Sequence, residues 1–327
     1  MKTMESTCNI LNNFRLTRFE FILTAIEDLH LPLYLGSTLR GGFGTAFKRV
    51  VCALRDRLCH ECILKEKCVY SYVFETPPPA NTAMMRKYEA APHPFVIEPP
   101  PEKRQGYKHG DTITFNLILI GKAIDYLPYF IYTFEELGRI GIGKGRGRFE
   151  LQGVNCEGKT IYDSKGKTLN SFNPSTLLNF QPSTLNSQFS TPNPQPLTLN
   201  FLTPCRIIYN GCLTKDLEFH ILVRNLLRRI ALLSYFHCGG DTSQIDFRGI
   251  IEQAEQIKIE SFDRATLQWY DWERYSARQD TRMKMGGFVG KITFEGNIEP
   301  FMPLIQAGEI LHVGKGTSFG LGRYEIG

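Results

Sequence analysis

Two stretches of the chain interleave glycine with cations in a way that suits a phosphate backbone. Gly141 to Arg148 reads Gly-Ile-Gly-Lys-Gly-Arg-Gly-Arg, and Gly314 to Arg323 reads Gly-Lys-Gly-Thr-Ser-Phe-Gly-Leu-Gly-Arg. Glycine permits dihedrals closed to other residues and lets a second chain approach closely. Lys144, Arg146, Arg148, Lys315 and Arg323 add charge that pairs with phosphate, and Gly314 and Gly316 flank the lysine of the second stretch. Neither stretch ends in Gly-Lys-Ser/Thr, and neither has the Gly-x-Gly-x-x-Gly dinucleotide spacing. The plain alternative for either is a tight turn from helix to strand. Two basic copies in corresponding places weigh toward nucleic-acid binding.

A third basic stretch runs from Glu273 to Met285, with Arg274, Arg278, Arg282 and Lys284 beside Tyr270, Trp272 and Tyr275. As a helix, or as a strand pair with even-numbered residues facing one way, it makes a basic stripe next to rings that stack unpaired bases. Arg224, Arg228 and Arg229 extend it. Local pairing with Asp271, Glu273 and Asp280 is the plain alternative.

Cys52, Cys59, Cys62 and Cys68 form a Cys-x6-Cys-x2-Cys-x5-Cys cluster. The Cys59-x2-Cys62 knuckle suits a structural zinc, since four thiolates leave no open position, and His60 is a substitute ligand. An iron–sulfur cluster and free thiols stay open beside it. The other cysteines are scattered.

The elements that must position these groups repeat in order. The first half gives a strand over Phe14 to Ile26, a helix over Gly36 to Leu58 and a strand over Thr112 to Leu119. A helix over Tyr126 to Leu137, the first glycine stretch and a strand over Phe149 to Val154 follow. The second half gives a strand over Cys205 to Leu213 and a helix over Leu217 to Phe236. It then gives a strand over Gly287 to Phe294, a helix over Pro300 to Leu311, the second glycine stretch and a strand over Tyr324 to Ile326. This predicts an α+β protein of tandem ferredoxin-like (RRM-like) β-α-β-β-α-β domains over 1–163 and 204–327. Cys59 to Gly110 is Pro-rich and hides the second strand of the first half. Residues 164–203, polar and near-repetitive, read as a disordered linker or insertion.

The chain has 327 residues and a net charge of +5, which permits a nucleic-acid partner without requiring one. Residues 1–11 lack a secretory pattern, and no apolar run reaches the ~20 residues of a membrane span. The expectation is a cytoplasmic protein with no membrane partner, its nine cysteines thiols or metal ligands rather than disulfides.

The closing string Leu311-His-Val-Gly-Lys-Gly-Thr-Ser-Phe-Gly-Leu-Gly-Arg-Tyr324 resembles the carboxy-terminal signature of the Cas6 family of CRISPR RNA-processing endoribonucleases, within the repeat-associated RNA-binding superfamily. Leu39-Arg-Gly-Gly-Phe-Gly-Thr-Ala-Phe-Lys48, Pro92-His-Pro-Phe-Val-Ile-Glu-Pro-Pro100 and Tyr275-Ser-Ala-Arg-Gln279 are similar to further family segments. The resemblance implies cutting of a precursor transcript within its repeats, with no metal or other cofactor for catalysis. The 2′-hydroxyl attacks, leaving a 2′,3′-cyclic phosphate and a 5′-hydroxyl. It implies CRISPR repeat RNA and crRNA as partners, and subunits of a CRISPR effector complex. Many members place a catalytic His in or near the first helix, where this sequence has Arg40 and Lys48 and no His. Histidine suits proton transfer because its pKa lies near neutrality. His312, beside Lys315 in the last loop, is favoured over His30, which lies between Leu29 and Leu31. Lys48 and Lys315 are candidates for stabilising the transition state. A non-cleaving crRNA-binding subunit is the alternative, and a zinc-stabilised interaction module without RNA a more distant one.

Overall fold

The computed structural model describes the chain outside residues 1–10, 12, 56, 80–81, 83, 86–89, 178–195, 261–265 and 277–280, with the backbone alone at 274–276 and 281–282. The chain divides into two compact units, Arg15–Ser175, and Thr176–Gly327 together with Met1–Phe14.

The first unit runs β1 (Arg15–Ala25), α1 (Leu35–Val51), β2 (Phe95–Glu98), β3 (Thr112–Ile120), α2 (Leu127–Ile140) and β4 (Phe149–Cys156). Its antiparallel sheet has the order β2-β3-β1-β4, and β5 (Lys159–Asp163) extends the edge beyond β4. Alternation along β1 buries Phe19, Phe21, Leu23 and Ala25 while Arg18 and Glu20 face away. Phe21 lies opposite Phe115 of β3 and Val154 of β4. The two helices cover that face with Phe43, Phe47, Phe130 and Phe134, all fully buried. Phe43 packs 4.9 Å from both Phe47 and Phe130, and 5.8 Å from Phe95 of β2. Each such ring contributes roughly 1.5–3 kcal/mol by leaving water, so the short β2 is held mainly by the aromatic core beneath it.

The second unit runs β6 (Leu197–Cys205), α3 (Phe219–Leu233), α4 (Phe247–Ala254), β7 (Lys258–Ile259), β8 (Gly287–Glu295), α5 (Met302–Leu311) and β9 (Tyr324–Ile326). Its sheet order, β7-β8-β6-β9, is the same permutation as in the first unit. Leu222, Leu226, Ile230 and Leu233 of α3 are buried, as their spacing predicts. Both units are therefore ferredoxin-like, with α4 an addition in the second.

Four sequence expectations shift. β6 begins at Leu197, inside the stretch read as linker over 164–203. Leu197, Leu199 and Phe201 are buried while Thr198 and Asn200 are half-buried, a period of two that the near-repeats concealed. The unit boundary falls between Ser175 and Thr176, and Met1–Phe14 goes with the second unit. The strand expected over Cys205 to Leu213 lies earlier, with β6 ending at Cys205. A small hairpin follows, pairing Ile208–Tyr209 with Cys212–Leu213 around Asn210 and Gly211, both at positive φ. Finally, α1 ends at Val51, because Cys52 turns to extended backbone.

Candidate nucleic-acid interface

The two glycine stretches close their units with the same hydrogen bonds. In the first unit the amides of Ile26 and Glu27, just past β1, donate to the Arg148 carbonyl at 2.9 and 3.2 Å. In the second, Leu202 and Thr203 donate to the Arg323 carbonyl at 2.9 and 3.4 Å. Ile142 donates to Gly147, and Val313 to Gly322, both at 3.0 Å. The Lys144 amide donates to the His30 carbonyl at 2.9 Å, and the Lys315 amide to the Arg206 carbonyl at 2.7 Å. Gly-Ile-Gly-Lys-Gly (141–145) thus superposes in role on His-Val-Gly-Lys-Gly (312–316), and Gly147-Arg148-Phe149 on Gly322-Arg323-Tyr324.

The glycines answer to sterics. A Cβ at Gly143 would lie 2.3 Å from the His30 carbonyl oxygen, and one at Gly314 would lie 2.4 Å from that of Arg206. Close strand–loop approach therefore fixes the neighbouring lysine amide and turns its side chain outward. Lys144, Arg146 and Lys315 are exposed and make no ion pair among the described residues. Arg148 is paired with Glu27 at 2.6 Å, and its hydrogen bonds hold that carboxyl below its ordinary value. Lys108 does the same to Asp28 at 2.6 Å. Arg323 lies 3.7 Å from Glu325. His30 is exposed at this edge, on a two-residue strand paired with Gly106 and Tyr107.

His312 departs from its expected role. It is fully buried, its Nδ1 3.2 Å from the Leu321 carbonyl. A ring sealed from solvent cannot reach a phosphate, so the preference for it as acid or base is corrected. It caps α5 at φ 61° and ψ 167°, where the equivalent Gly141 caps α2 at φ 83° and ψ 159°. Arg229 braces the same spot, its Nε donating to the Leu311 carbonyl at 2.9 Å. Burial pushes that guanidinium down to about 9, so Arg229 is no part of a basic stripe. Arg224 and Arg228 are exposed.

A second cationic feature, with a larger apolar base, lies on α1. Arg40, Gly44 and Lys48 follow one another at four-residue intervals, so they share a helix stripe. The ring of Phe74 nests on bare Gly44, where a Cβ would come within 2.2 Å of it. Arg40 lies 4.5 Å over the Phe74 ring, and Lys48 lies 5.8 Å over Tyr70, whose ring stacks on Phe74 at 5.3 Å. The stack continues through His93, 6.1 Å from Phe74 and 5.6 Å from Phe95. Arg40 Nη2 meets His93 Nε2 at 2.8 Å. Sequence reasoning placed Arg40 and Lys48 but passed over His93, because nothing in the primary structure ties position 93 to a helix residue 53 positions earlier.

Two other expectations separate. The basic stretch forms a hairpin of Glu273–Ser276 with Thr281–Lys284, Arg274 opposite Met283 and Tyr275 opposite Arg282. In that register even-numbered positions of one strand oppose odd-numbered ones of the other. Arg278 lies outside the described residues. The described residues do not gather the four cysteines into a zinc site. Among the described residues no three His, Cys, Asp or Glu side chains converge. Cys59 and Cys68 pack against the apolar core of the first unit, and burial pushes the Cys59 thiol up. His60 is exposed beside Glu61. No helix among the described residues is long and apolar enough to cross a membrane.

Two sheets built on the same four-strand order, each closed by a Gly-Lys-Gly loop, define a tandem ferredoxin-like protein. Residues 199–324 match the family model described as CRISPR-associated endoribonuclease Cas6, and residues 14–174 match one described as an N-terminal domain. The second unit thus carries a Cas6-family domain. It is similar to an uncharacterized protein of Archaeoglobus fulgidus, 22% identical over 96% of this chain and 98% of the relative. Among solved structures it resembles a Cas6 product complex at TM-score 0.54 and 15% identity, covering 95% of this chain and 99% of that one. It also resembles a chain of a partial Cas6-RT-Cas1–Cas2 complex at TM-score 0.56 and 15% identity, covering 96% of this chain. The present chain spans 46% of that relative's length. The Cas6-like fold supports CRISPR RNA binding or processing.

Proposed function

We propose that this protein binds CRISPR repeat RNA and cuts the precursor transcript within its repeats, without a metal ion. The observation that carries the reading is the repeated loop. Each unit presents a lysine whose amide is tied to the preceding strand and whose side chain is left exposed. Each such point, with Arg146 beside the first, suits a phosphate of an RNA backbone, and phosphate pairing is the main source of RNA affinity. Cutting requires a base or acid for proton transfer, a cation beside the phosphate and an in-line strand. His30, Lys48 and Lys315 are accessible enough to contribute, and His312 is not. The product is a 2′,3′-cyclic phosphate with a 5′-hydroxyl. CRISPR effector subunits are the protein partners this reading points to.

The test is incubation with repeat RNA in chelator. Discrete cleavage to a cyclic-phosphate end, abolished by a 2′-deoxy substitution at the cut site, is the expected result. Tight, salt-dependent binding with intact RNA would instead favour a non-cleaving crRNA-binding subunit, a reading supported by the absence of His from α1. No salt-dependent binding would sink both.

A further inference from the structure

We propose that Arg40 and His93 form the catalytic pair for cleavage of an RNA phosphodiester, with His93 Nε2 as general base. The inference rests on the cleavage reading above and names its reacting groups. The pair stands on geometry. Arg40 Nη2 and His93 Nε2 are 2.8 Å apart. A guanidinium only donates, so Nε2 accepts and the imidazole proton sits on Nδ1. The other side of the ring agrees. Thr76 Oγ1 lies 3.4 Å from Nδ1 and gives its own proton to the Ala91 carbonyl at 2.8 Å, which leaves an oxygen lone pair toward Nδ1. Ala91 in turn donates its amide to the Thr76 carbonyl at 2.8 Å, so the segment bearing His93 is clamped at both ends of that threonine. Thr76 holds left-handed backbone, φ 48° and ψ 48°, at the end of the short π-helical turn Ser71–Glu75. A strained residue that orients a histidine is the sort of position where backbone strain serves function.

The apolar setting fixes the ring plane. His93 packs beside both Phe74 and Phe95, at interplanar angles of 26° and 23°, and those two rings also touch each other at 6.5 Å. Arg40 lies over Phe74, and both members of the pair are half-buried. When a phosphate arrives, its oxygens are better acceptors for the guanidinium than a neutral imidazole, because both partners are charged. Arg40 then turns to the phosphate while the Phe74 face keeps it in place, and Nε2 is released beside the reacting nucleotide. The Nε2 lone pair takes the 2′-hydroxyl proton. The freed O2′ pair forms the O2′–P bond, the P–O5′ bond breaks, and O5′ leaves with that pair and takes a proton from water. Arg40 offsets the charge that grows on the phosphoryl oxygens. Lys48, one helical turn beyond Gly44 on the same stripe, adds a second cation to the same aromatic stack.

Single-turnover cleavage and equilibrium binding of one repeat RNA, measured on the full chain, test the pair. His93→Gln retains an acceptor for Arg40 and removes the base. The expected result is cleavage at least about 100-fold slower with affinity within about threefold of the parent. His93→Ala is expected to lose cleavage similarly and to regain part of it with added imidazole. Arg40→Lys keeps the charge but not the planar fork, and is expected to slow cleavage at least about tenfold. If the parent cuts and a folded His93→Gln cuts within about threefold of it, the pair is overturned while the cleavage reading stands. If the parent binds RNA but never cuts it, the cleavage reading and the pair fall together. If His93→Gln does not fold, the Arg40→Lys rate decides, with unchanged cleavage counting against the pair.

Discussion

The two glycine loops have the same hydrogen-bond plan and are braced in different ways. In the first, Ile142 reaches Gly147 across a short turn, and the chain passes so close to Gly141 that a Cβ there would lie 2.0 Å from the Arg146 carbonyl oxygen. In the second, Val313 reaches Gly322 across a longer excursion that contains the 3-10 turn Thr317–Phe319. That excursion leaves room for a side chain at the equivalent helix cap, and His312 fills it. The lesson is that a histidine beside a basic glycine loop can be the loop's internal brace. Its neighbours in sequence suggest chemistry, and its burial assigns packing.

The comparison breaks most sharply at the two caps. Gly141→Ala forces a Cβ onto the Arg146 carbonyl in a backbone region nearly closed to other residues. A loss of more than about 3 kcal/mol is expected by urea unfolding. A loss below about 1 kcal/mol would mean that the first loop tolerates what the second has adopted. His312→Ala removes a buried ring and its bond to Leu321, so about 2–3 kcal/mol should be lost. His312→Gly relieves the positive φ and should be more stable than the Ala variant, by up to about 1 kcal/mol. The folded fraction of either variant should still cut RNA, and complete loss of cutting in a folded His312→Gly protein would return that residue to the chemistry.

Lys144→Ala and Lys315→Ala sharpen the shared part of the plan. Each should weaken RNA binding without changing thermal stability, and each should reduce the slope of log affinity against log salt by about 1. An unchanged slope for one of them would show that only one loop touches the backbone. The smallest effect is expected at Glu27, whose carboxyl is held below its ordinary value of 4.5 by Arg148. A lowered folded pKa means the stabilisation is present above the unfolded value and is lost as pH falls through the folded one. Glu27→Gln should therefore be slightly less stable than the parent at neutral pH and match it in acid, as read from urea midpoints. The second loop, where Thr203 occupies the equivalent position, should show no such dependence from that position.

Much of this was legible in the primary structure. The alternation in β1 and β3, the apolar stripe of α3 and the two glycine loops each follow from local periodicity, which depends only on near neighbours. The ferredoxin-like order of elements followed from those pieces in sequence. β2 was hidden because only four residues form it and its stability comes from Phe43 and the rings around it. β6 was hidden because its first residues share composition with the polar stretch before them.

By itself the sequence determined the tandem fold, the basic loops and the resemblance to Cas6 proteins, since all three are written in residue types and short spacings. Only the tertiary structure decided which charged and histidine side chains meet solvent and which meet each other. His312 is buried by a turn several residues away in sequence, and His93 reaches Arg40 because β2 lies against α1 through the phenylalanine core. Those outcomes depend on long-range packing, where a few ångströms of chain placement determine whether an imidazole faces water, a carbonyl or a guanidinium.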